Sequence, residues 1–296
     1  SSAMESALNS VPSDLKEAIR IAGENIAGFH RTQLYDGDVV ETTPGVKCWR
    51  RSVPLDRAGL YIPGGTAPLF STVLMLAIPA GIAGCREVII CTPPDRSGNV
   101  DPLILYAAHY AGVSDVYRVG GAQAIAAMAF GTETIPKADK IFGPGNQYVT
   151  RAKALAQLEG TPVDMPAGPS EVLVIAGLDS DPTFVAADLL SQAEHGTDSQ
   201  VILLSDNNDL LNAAIAETEK QLQQLPRKDI AIKSLENSRF ILFESLEECM
   251  EFSNRYAPEH LIISTSDPHI LAGKVRNAGS VFLGKYSCES AGDYAS

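Results

Sequence analysis

The chain has 296 residues, 45% of them hydrophobic and 20% charged, which is typical of a globular protein long enough for about two domains. Its formal net charge is -13, which argues against binding to nucleic acid or an anionic membrane, since both need a basic surface. The five cysteines are widely spaced and odd in number, which excludes a disulfide framework. No apolar run reaches the roughly 18–20 residues of a membrane span.

Apolar periodicity predicts alternating helices and strands in the first half. We expect a helix over residues 5–34, a hairpin or loop over 36–49, and a strand at 60–62 followed by a helix over 71–82. Three strand–helix pairs follow, at 87–91 with 102–110, 115–119 with 122–130, and 140–142 with 146–158.

The same pattern restarts after Met165. Strands are predicted at 171–176, 200–204, 240–243, 260–263 and 280–283, and the helices between them begin at Asp181-Pro182, Asn208, Leu246 and Pro268. These strands are short and continuously apolar, as parallel strands covered on both faces are. We therefore predict an α/β fold with two doubly wound parallel sheets, joined at Ala167-Gly168-Pro169.

Three glycine-rich turns follow predicted strands in the first half: Pro63-Gly64-Gly65, Gly120-Gly121-Ala122 and Gly143-Pro144-Gly145. Ligands of open α/β sheets bind at the carboxyl ends of strands, and glycines there let backbone N–H groups approach a phosphate. None of these turns is a complete dinucleotide fingerprint, and each alone is equally compatible with an ordinary turn.

Two pairs in the second half suggest chemistry. Gln192 and His195 are three residues apart, so a helix would place them on one face, where an amide oxygen and an imidazole could hold a metal. The alternative is a buried histidine bonded to a glutamine. Glu259 and His260 stand between a helix and a strand, which suits acid–base catalysis, or else are a surface glutamate and an edge histidine. Asp293 alone is typical of a loop.

Eight stretches together resemble the histidinol dehydrogenase family, and the resemblance extends from about residue 10 to the end. They are L-Y-I-P-G-G-T-A-P-L-F-S-T (60–72), G-G-A-Q-A-I-A (120–126), F-G-P-G-N (142–146), M-P-A-G-P-S-E-V (165–172), L-L-S-Q-A-E-H-G (189–196), Y-A-P-E-H-L (256–261), G-S-V-F-L-G (279–284) and A-G-D-Y-A-S (291–296).

The resemblance implies oxidation of L-histidinol to L-histidine through bound histidinal, with two NAD reduced and one zinc per subunit. This is the last step of histidine biosynthesis. It also implies a homodimer with composite active sites, located in the cytoplasm, or in the plastid of a plant. The expected fold is two incomplete Rossmann-like domains: residues 1–60 with 169–296 form the zinc and catalytic domain, and residues 61–168 carry the NAD contacts.

The residue roles below are likewise implied by the resemblance. The matching positions are Gln192, His195 and Asp293 as zinc ligands; His260 as the general base and Glu259 as the group that activates water; Ser170, Gln192, His195, His260 and Asp293 as substrate contacts; and Tyr61, Gln123 and Asn146 as NAD contacts.

Members of the family begin earlier and continue well past the position of Asp293, into a dimerisation segment that carries a further zinc-ligand histidine and a substrate-binding glutamate. This sequence ends before that segment, so we expect weak zinc binding and poor or no turnover. Two other functions stay open: a catalytically silent folded fragment or binding module, and a zinc hydrolase that uses Glu259 and zinc-bound water.

Overall fold

The structure is a computed structural model that describes residues 2–35, 37–64, 68–165 and 170–295, without the side chains of Ser2 and Ala3. The predicted junction Ala167-Gly168-Pro169 and Gly65 of the first glycine-rich turn lie outside the described residues. Internal contacts divide the chain into two compact units, Ser1–Ala167 with Asp293–Ser296, and Gly168–Gly292.

The first unit is built on a parallel sheet with the strand order β5-β4-β3-β6. Its elements are α1 (Ser2–Ser10), α2 (Ser13–Arg31), β1 (Val40–Thr43), β2 (Val46–Cys48), β3 (Arg57–Tyr61), α3 (Phe70–Ile82), β4 (Glu87–Thr92), α4 (Pro102–Tyr110), β5 (Asp115–Arg118), α5 (Gly121–Phe130), β6 (Lys140–Phe142) and α6 (Gln147–Leu158). The strands β1 and β2 form a separate antiparallel hairpin, which is one of the two alternatives predicted for residues 36–49.

Both faces of this first sheet are covered. Successive residues of a strand point to opposite faces, so Leu60 joins a core with the helices α2, α3 and α4, while Tyr61 joins a core with α5 and α6. The predicted single helix over 5–34 is wrong, because the chain breaks between α1 and α2 at Pro12, which has no N–H to continue a helix.

The second unit contains a parallel sheet with the strand order β11-β10-β7-β8-β9. Its elements are β7 (Glu171–Ala176), α7 (Pro182–Ala193), β8 (Gln200–Ser205), α8 (Asn208–Leu222), α9 (Lys228–Glu236), β9 (Arg239–Leu242), α10 (Leu246–Tyr256), β10 (His260–Ser264), α11 (Pro268–Ala272), β11 (Ser280–Leu283) and α12 (Glu289–Tyr294), the last of which extends into Asp293–Ser296.

This second sheet is also covered on both faces. Val172 and Val174 of β7 pack with α7, α8 and α9, while Leu173 and Ile175 pack with α10 and α11. Both units are therefore doubly wound parallel sheets, and the predicted α/β fold class is confirmed.

One domain boundary was predicted wrongly. Residues 1–60 were grouped with the second sheet, but β3 pairs with β4 and β6 of the first sheet, and the contacts assign these residues to the first unit. The short helices α9 and α12 were also missed. No helix of the described residues is long and apolar enough to cross a membrane.

Candidate active site

The end of α7 carries the first pair of predicted site residues. Asp181 caps the helix by accepting a hydrogen bond from the N–H of Thr183, at 2.8 Å, and Pro182 occupies the first turn, as predicted. Gln192 lies in the last turn and is 1% exposed. The helix ends at Ala193, so His195 follows it in an exposed turn, where its N–H donates to the carbonyl of Gln192 at 3.2 Å. The backbones of the two residues are joined by this hydrogen bond, but only Gln192 belongs to the helix.

Glu259 and His260 stand at the amino end of β10. His260 begins the strand and lies between Val172 of β7 and Ser280 of β11. The carbonyl of Glu259 accepts a hydrogen bond from the N–H of Ser280 at 2.8 Å. A Cβ at Gly279 would lie 2.6 Å from that carbonyl, so only glycine fits there. From the sequence, we expected ligands at the carboxyl ends of the strands. Glu259 and His260 instead lie at the amino end of β10, which is the opposite edge of the sheet.

Glu289, in the first turn of α12, lies close to one member of each pair, Gln192 and His260. With the Gln192 amide oriented to satisfy its neighbours, its nitrogen donates to the two carboxylate oxygens of Glu289 at 3.1 and 3.2 Å. The same carboxylate lies 3.6 Å from Nδ1 of His260, and Glu259 lies 3.9 Å from that nitrogen. Nδ1 is buried and has no partner at hydrogen-bond distance among the described residues.

The helix α12 approaches the sheet closely at a glycine. A Cβ on Gly292 would lie 2.9 Å from the ring of Phe282, whose centroid lies 6.1 Å from that of His260. The glycine therefore lets Phe282 pack against this helix, and the same segment carries Glu289 to His260.

The site has a negative electrostatic environment. Burial, and secondarily the carboxylate of Glu289, raise the pKa of Asp188 to about 7. Asp188 lies one helical turn before Gln192, and the carboxyl end of a helix adds negative potential. These groups favour a cation, such as a metal ion or a protonated amine, close to Gln192.

The raised pKa of Asp188 predicts a pH-dependent stability. Because Asp188 binds its proton more tightly in the folded than in the unfolded chain, the free energy of unfolding falls as pH rises from about 4 to about 7 and is level above that. Asp188→Asn removes this dependence, so we expect the variant to be more stable than the parent at about pH 8 and not at about pH 5. The gain is at most a few kcal/mol, since one pKa unit is about 1.4 kcal/mol.

Denaturant unfolding of both proteins in a chelating buffer measures this difference. Asp209→Asn, in the exposed first turn of α8, is the matched control and should show no such change with pH. Equal stability differences for Asp188→Asn at the two pH values would contradict the prediction.

The three predicted NAD contacts lie at the carboxyl end of the first sheet. The Tyr61 hydroxyl accepts a hydrogen bond from the N–H of Gly121 at 3.0 Å, next to Gln123, which is exposed at the start of α5. Asn146 caps α6 by accepting from the N–H groups of Tyr148 and Val149, both at 3.1 Å. All three residues follow or end strands of one sheet, where a cofactor is expected.

Two predicted site residues remain, Ser170 and Asp293. Ser170 immediately precedes β7, at the same amino edge as His260. Asp293 is exposed, and its contacts group it with the first unit. The described residues contain no group of three or more histidine, cysteine, aspartate or glutamate side chains that could hold a metal ion.

Comparison with known proteins identifies the family. The family model described as histidinol dehydrogenase matches residues 1–296. The chain belongs to the histidinol dehydrogenase family. A histidinol dehydrogenase of Bacteroides fragilis (strain YCH46) is 60% identical over 296 residues, which are 100% of this chain and 69% of that protein.

Solved structures agree with membership of the histidinol dehydrogenase family. The crystal structure of histidinol dehydrogenase from Elizabethkingia anophelis is 57% identical, with a TM-score of 0.98 over 99% of this chain and 68% of that one. An NAD-dependent aldehyde dehydrogenase from Sinorhizobium meliloti is 14% identical, with a TM-score of 0.57 over 87% of this chain and 64% of that one, and shows likeness of fold alone.

Sequence reasoning missed Glu289 and Asp188 as members of the site. Glu289 lies in a stretch rich in glycine and serine, which is typical of a loop rather than a helix. Asp188 could have been proposed as a site residue from its spacing. It precedes Gln192 by one helical turn on a predicted helix and therefore faces the same way.

Proposed function

We propose that this chain oxidises L-histidinol to L-histidine through bound histidinal, with reduction of two NAD. The observation that carries the proposal is that Glu289 joins Gln192 to the Glu259-His260 pair in a member of the histidinol dehydrogenase family. Alcohol oxidation needs a base that accepts a proton as hydride leaves, and aldehyde oxidation needs an activated water.

His260 supplies the base. The carboxylate of Glu289 faces its Nδ1, which favours a proton on that nitrogen and leaves Nε2 to accept the proton of the substrate hydroxyl. A bound NAD would accept the hydride from the alcohol carbon as His260 takes the hydroxyl proton on Nε2, which would give the aldehyde. Because Nδ1 is buried, the imidazole presents its other edge to substrate.

Glu259 activates the water of the second oxidation. Its side chain is 50% exposed, so water reaches it, and the N–H of Glu171 donates to its carboxylate at 3.3 Å. The glutamate accepts a proton from water as the water adds to the aldehyde carbon. A second NAD would accept the hydride from this hydrate, which would give the carboxylic acid, and the acid then loses its proton to solvent.

Gln192 and His195 fit a zinc site by chemistry and place. They provide an amide oxygen and an imidazole at a helix end whose potential favours a cation, and the amide oxygen of Gln192 is turned away from Glu289. Zinc supplies anchorage for the imidazole and amino nitrogens of the substrate. Asp293 as third ligand and Ser170 as substrate contact rest on the resemblance.

NAD binding is assigned to Tyr61, Gln123 and Asn146 at the carboxyl edge of the first sheet, again from the resemblance and supported by their common edge. A homodimer with composite sites and a cytoplasmic location are part of the same proposal.

Histidinol-dependent formation of NADH tests the proposal. With zinc present and protein in excess over histidinol, a single oxidation is detectable even when turnover is slow. We expect NADH to form with histidinol and not with histidine, and the Bacteroides fragilis relative serves as positive control. Hydrolysis of a histidine ester without NADH formation would instead support the zinc hydrolase, and neither reaction would support a silent binding module.

Glu289→Gln tests the joining role of that carboxylate. Glutamine keeps the size but loses the charge that faces Nδ1, so we expect kcat to fall about 10–100-fold, as for other partners that orient a site residue, with KM for NAD unchanged. Glu251→Gln, on the exposed side of α10, is the matched control. A variant with parental kcat would show that Glu289 does not orient His260.

A further inference from the structure

An ion pair between a buried lysine and a partly exposed aspartate holds the glycine-rich turn that begins at Gly143. Lys153 of α6 is 6% exposed, and its Nζ donates to the carbonyl of Gly143 at 2.8 Å. Asp164 forms an ion pair with Lys153 and accepts a hydrogen bond from the N–H of Gly143 at 2.7 Å. Both polar groups of Gly143 are therefore fixed by this one pair of side chains.

Asp164 is placed for this role by the segment beside β6. The N–H of Ile141 donates to the carbonyl of Pro162 at 3.0 Å, and the N–H of Asp164 donates to the carbonyl of Ile141 at 3.1 Å. Val163 makes a parallel bridge to Ile141. The carboxylate is thus attached to the edge of the sheet and not to a free loop.

The turn connects two of the predicted NAD contacts. Gly143 has a φ of +123°, and a Cβ there would collide with the carbonyl of Tyr61. Asn146, three residues later, is fixed as the cap of α6. A shift of Gly143 would therefore disturb Tyr61 at one side and Asn146 at the other.

Packing alone does not explain a buried lysine paired with an aspartate at this point. Taking the Lys153 ammonium out of water is costly, although Asp164 keeps 28% of its side chain exposed, and a well-packed apolar residue in place of a buried charge is often neutral or stabilising. The pair holds a backbone turn in one position, which preorganises the contacts that a bound NAD would make.

We propose that Lys153 and Asp164 are positioning residues for NAD, which act through the Gly143–Asn146 turn. This inference rests on the proposed NAD site, and it assigns a role to two residues outside the predicted contacts. Breaking the pair weakens NAD binding and raises KM for NAD, while kcat at saturating NAD and binding of histidinol in the second unit change little.

The test is NAD binding by calorimetry to the parent chain and to the double variant Lys153→Met with Asp164→Leu. The double variant leaves no unpaired charge, so we expect it to keep the parental melting temperature. Its Kd for NAD should rise by about tenfold to 10²-fold, the scale of loss when a distant change misplaces a binding group. Lys153→Met alone, which keeps the Asp164 contact to Gly143, should show a smaller rise.

Arg151→Met, which removes an exposed cation from the same helix, is the matched control for a general loss of positive charge. Parental NAD affinity in the folded double variant, or an equal loss in Arg151→Met, would overturn the inference. If the double variant does not fold, NAD binding is measured for Lys153→Met alone, and parental affinity in that folded variant would overturn the inference. Failure of the parent chain to bind NAD would count against the proposed function. This result is distinct from one that overturns only the positioning role of Lys153 and Asp164.

Discussion

Replacing His260 with asparagine is expected to abolish most histidinol oxidation. Asparagine keeps a nitrogen donor in the place of Nδ1, where Glu289 faces it, but has no counterpart of Nε2. The hydroxyl proton then has no acceptor as hydride leaves, so we expect kcat for histidinol to fall by about 10²–10⁴-fold, the usual contribution of a general base. NADH formation with histidinol as substrate measures this loss.

The control for this prediction is His269→Asn, because His269 is an exposed histidine of the same unit. Oxidation of added histidinal should decline less than oxidation of histidinol in His260→Asn, since the aldehyde has no hydroxyl proton to lose. Equal losses with the two substrates would show that His260 does not act mainly on the alcohol proton.

Glu259→Gln should impair the oxidation of histidinal more than the oxidation of histidinol, which is the reverse of the expectation for His260→Asn. Glutamine preserves the size of the side chain but cannot take a proton from water, so oxidation of histidinal should fall by about 10²–10⁴-fold. The first oxidation continues, and each site releases one NADH from histidinol where the parent releases two. Glu244→Gln, an exposed glutamate of the same unit, is the control.

Rapid mixing of Glu259→Gln with histidinol and NAD would show one burst of NADH and accumulated aldehyde. Two NADH per histidinol at the parental rate would assign water activation to another group.

The two sheets could be predicted closely because local signals determined their elements. Strand 171–176 and helix 102–110 were predicted with the bounds that the structure has, since a short apolar run and a capped apolar segment can both be recognised along the chain. The partners of a strand are not local information. The strand pattern grouped the strand at 60–62 with the first half of the chain, whereas the grouping of residues 1–60 with the second sheet came from the family resemblance, and the pairing of β3 with β4 contradicts it.

The site was only partly predictable for a related reason. Gln192, Glu259 and His260 could be proposed from their types and spacing, but the group that joins them is Glu289 in a six-residue helix. So short a helix has no periodic pattern, and α12 depends on packing of Phe282 at Gly292. The amino-edge location also needed the structure, because it follows from the contacts of Glu289 with Gln192 of α7 and His260 of β10.

A crystal structure of the zinc-loaded protein with L-histidinol would test the central claim most directly. We expect zinc on Gln192 and His195, and the substrate hydroxyl within hydrogen-bond distance of Nε2 of His260. Histidinol or zinc bound away from the amino edge of the second sheet, with Gln192 and His260 not in contact with either, would contradict the account.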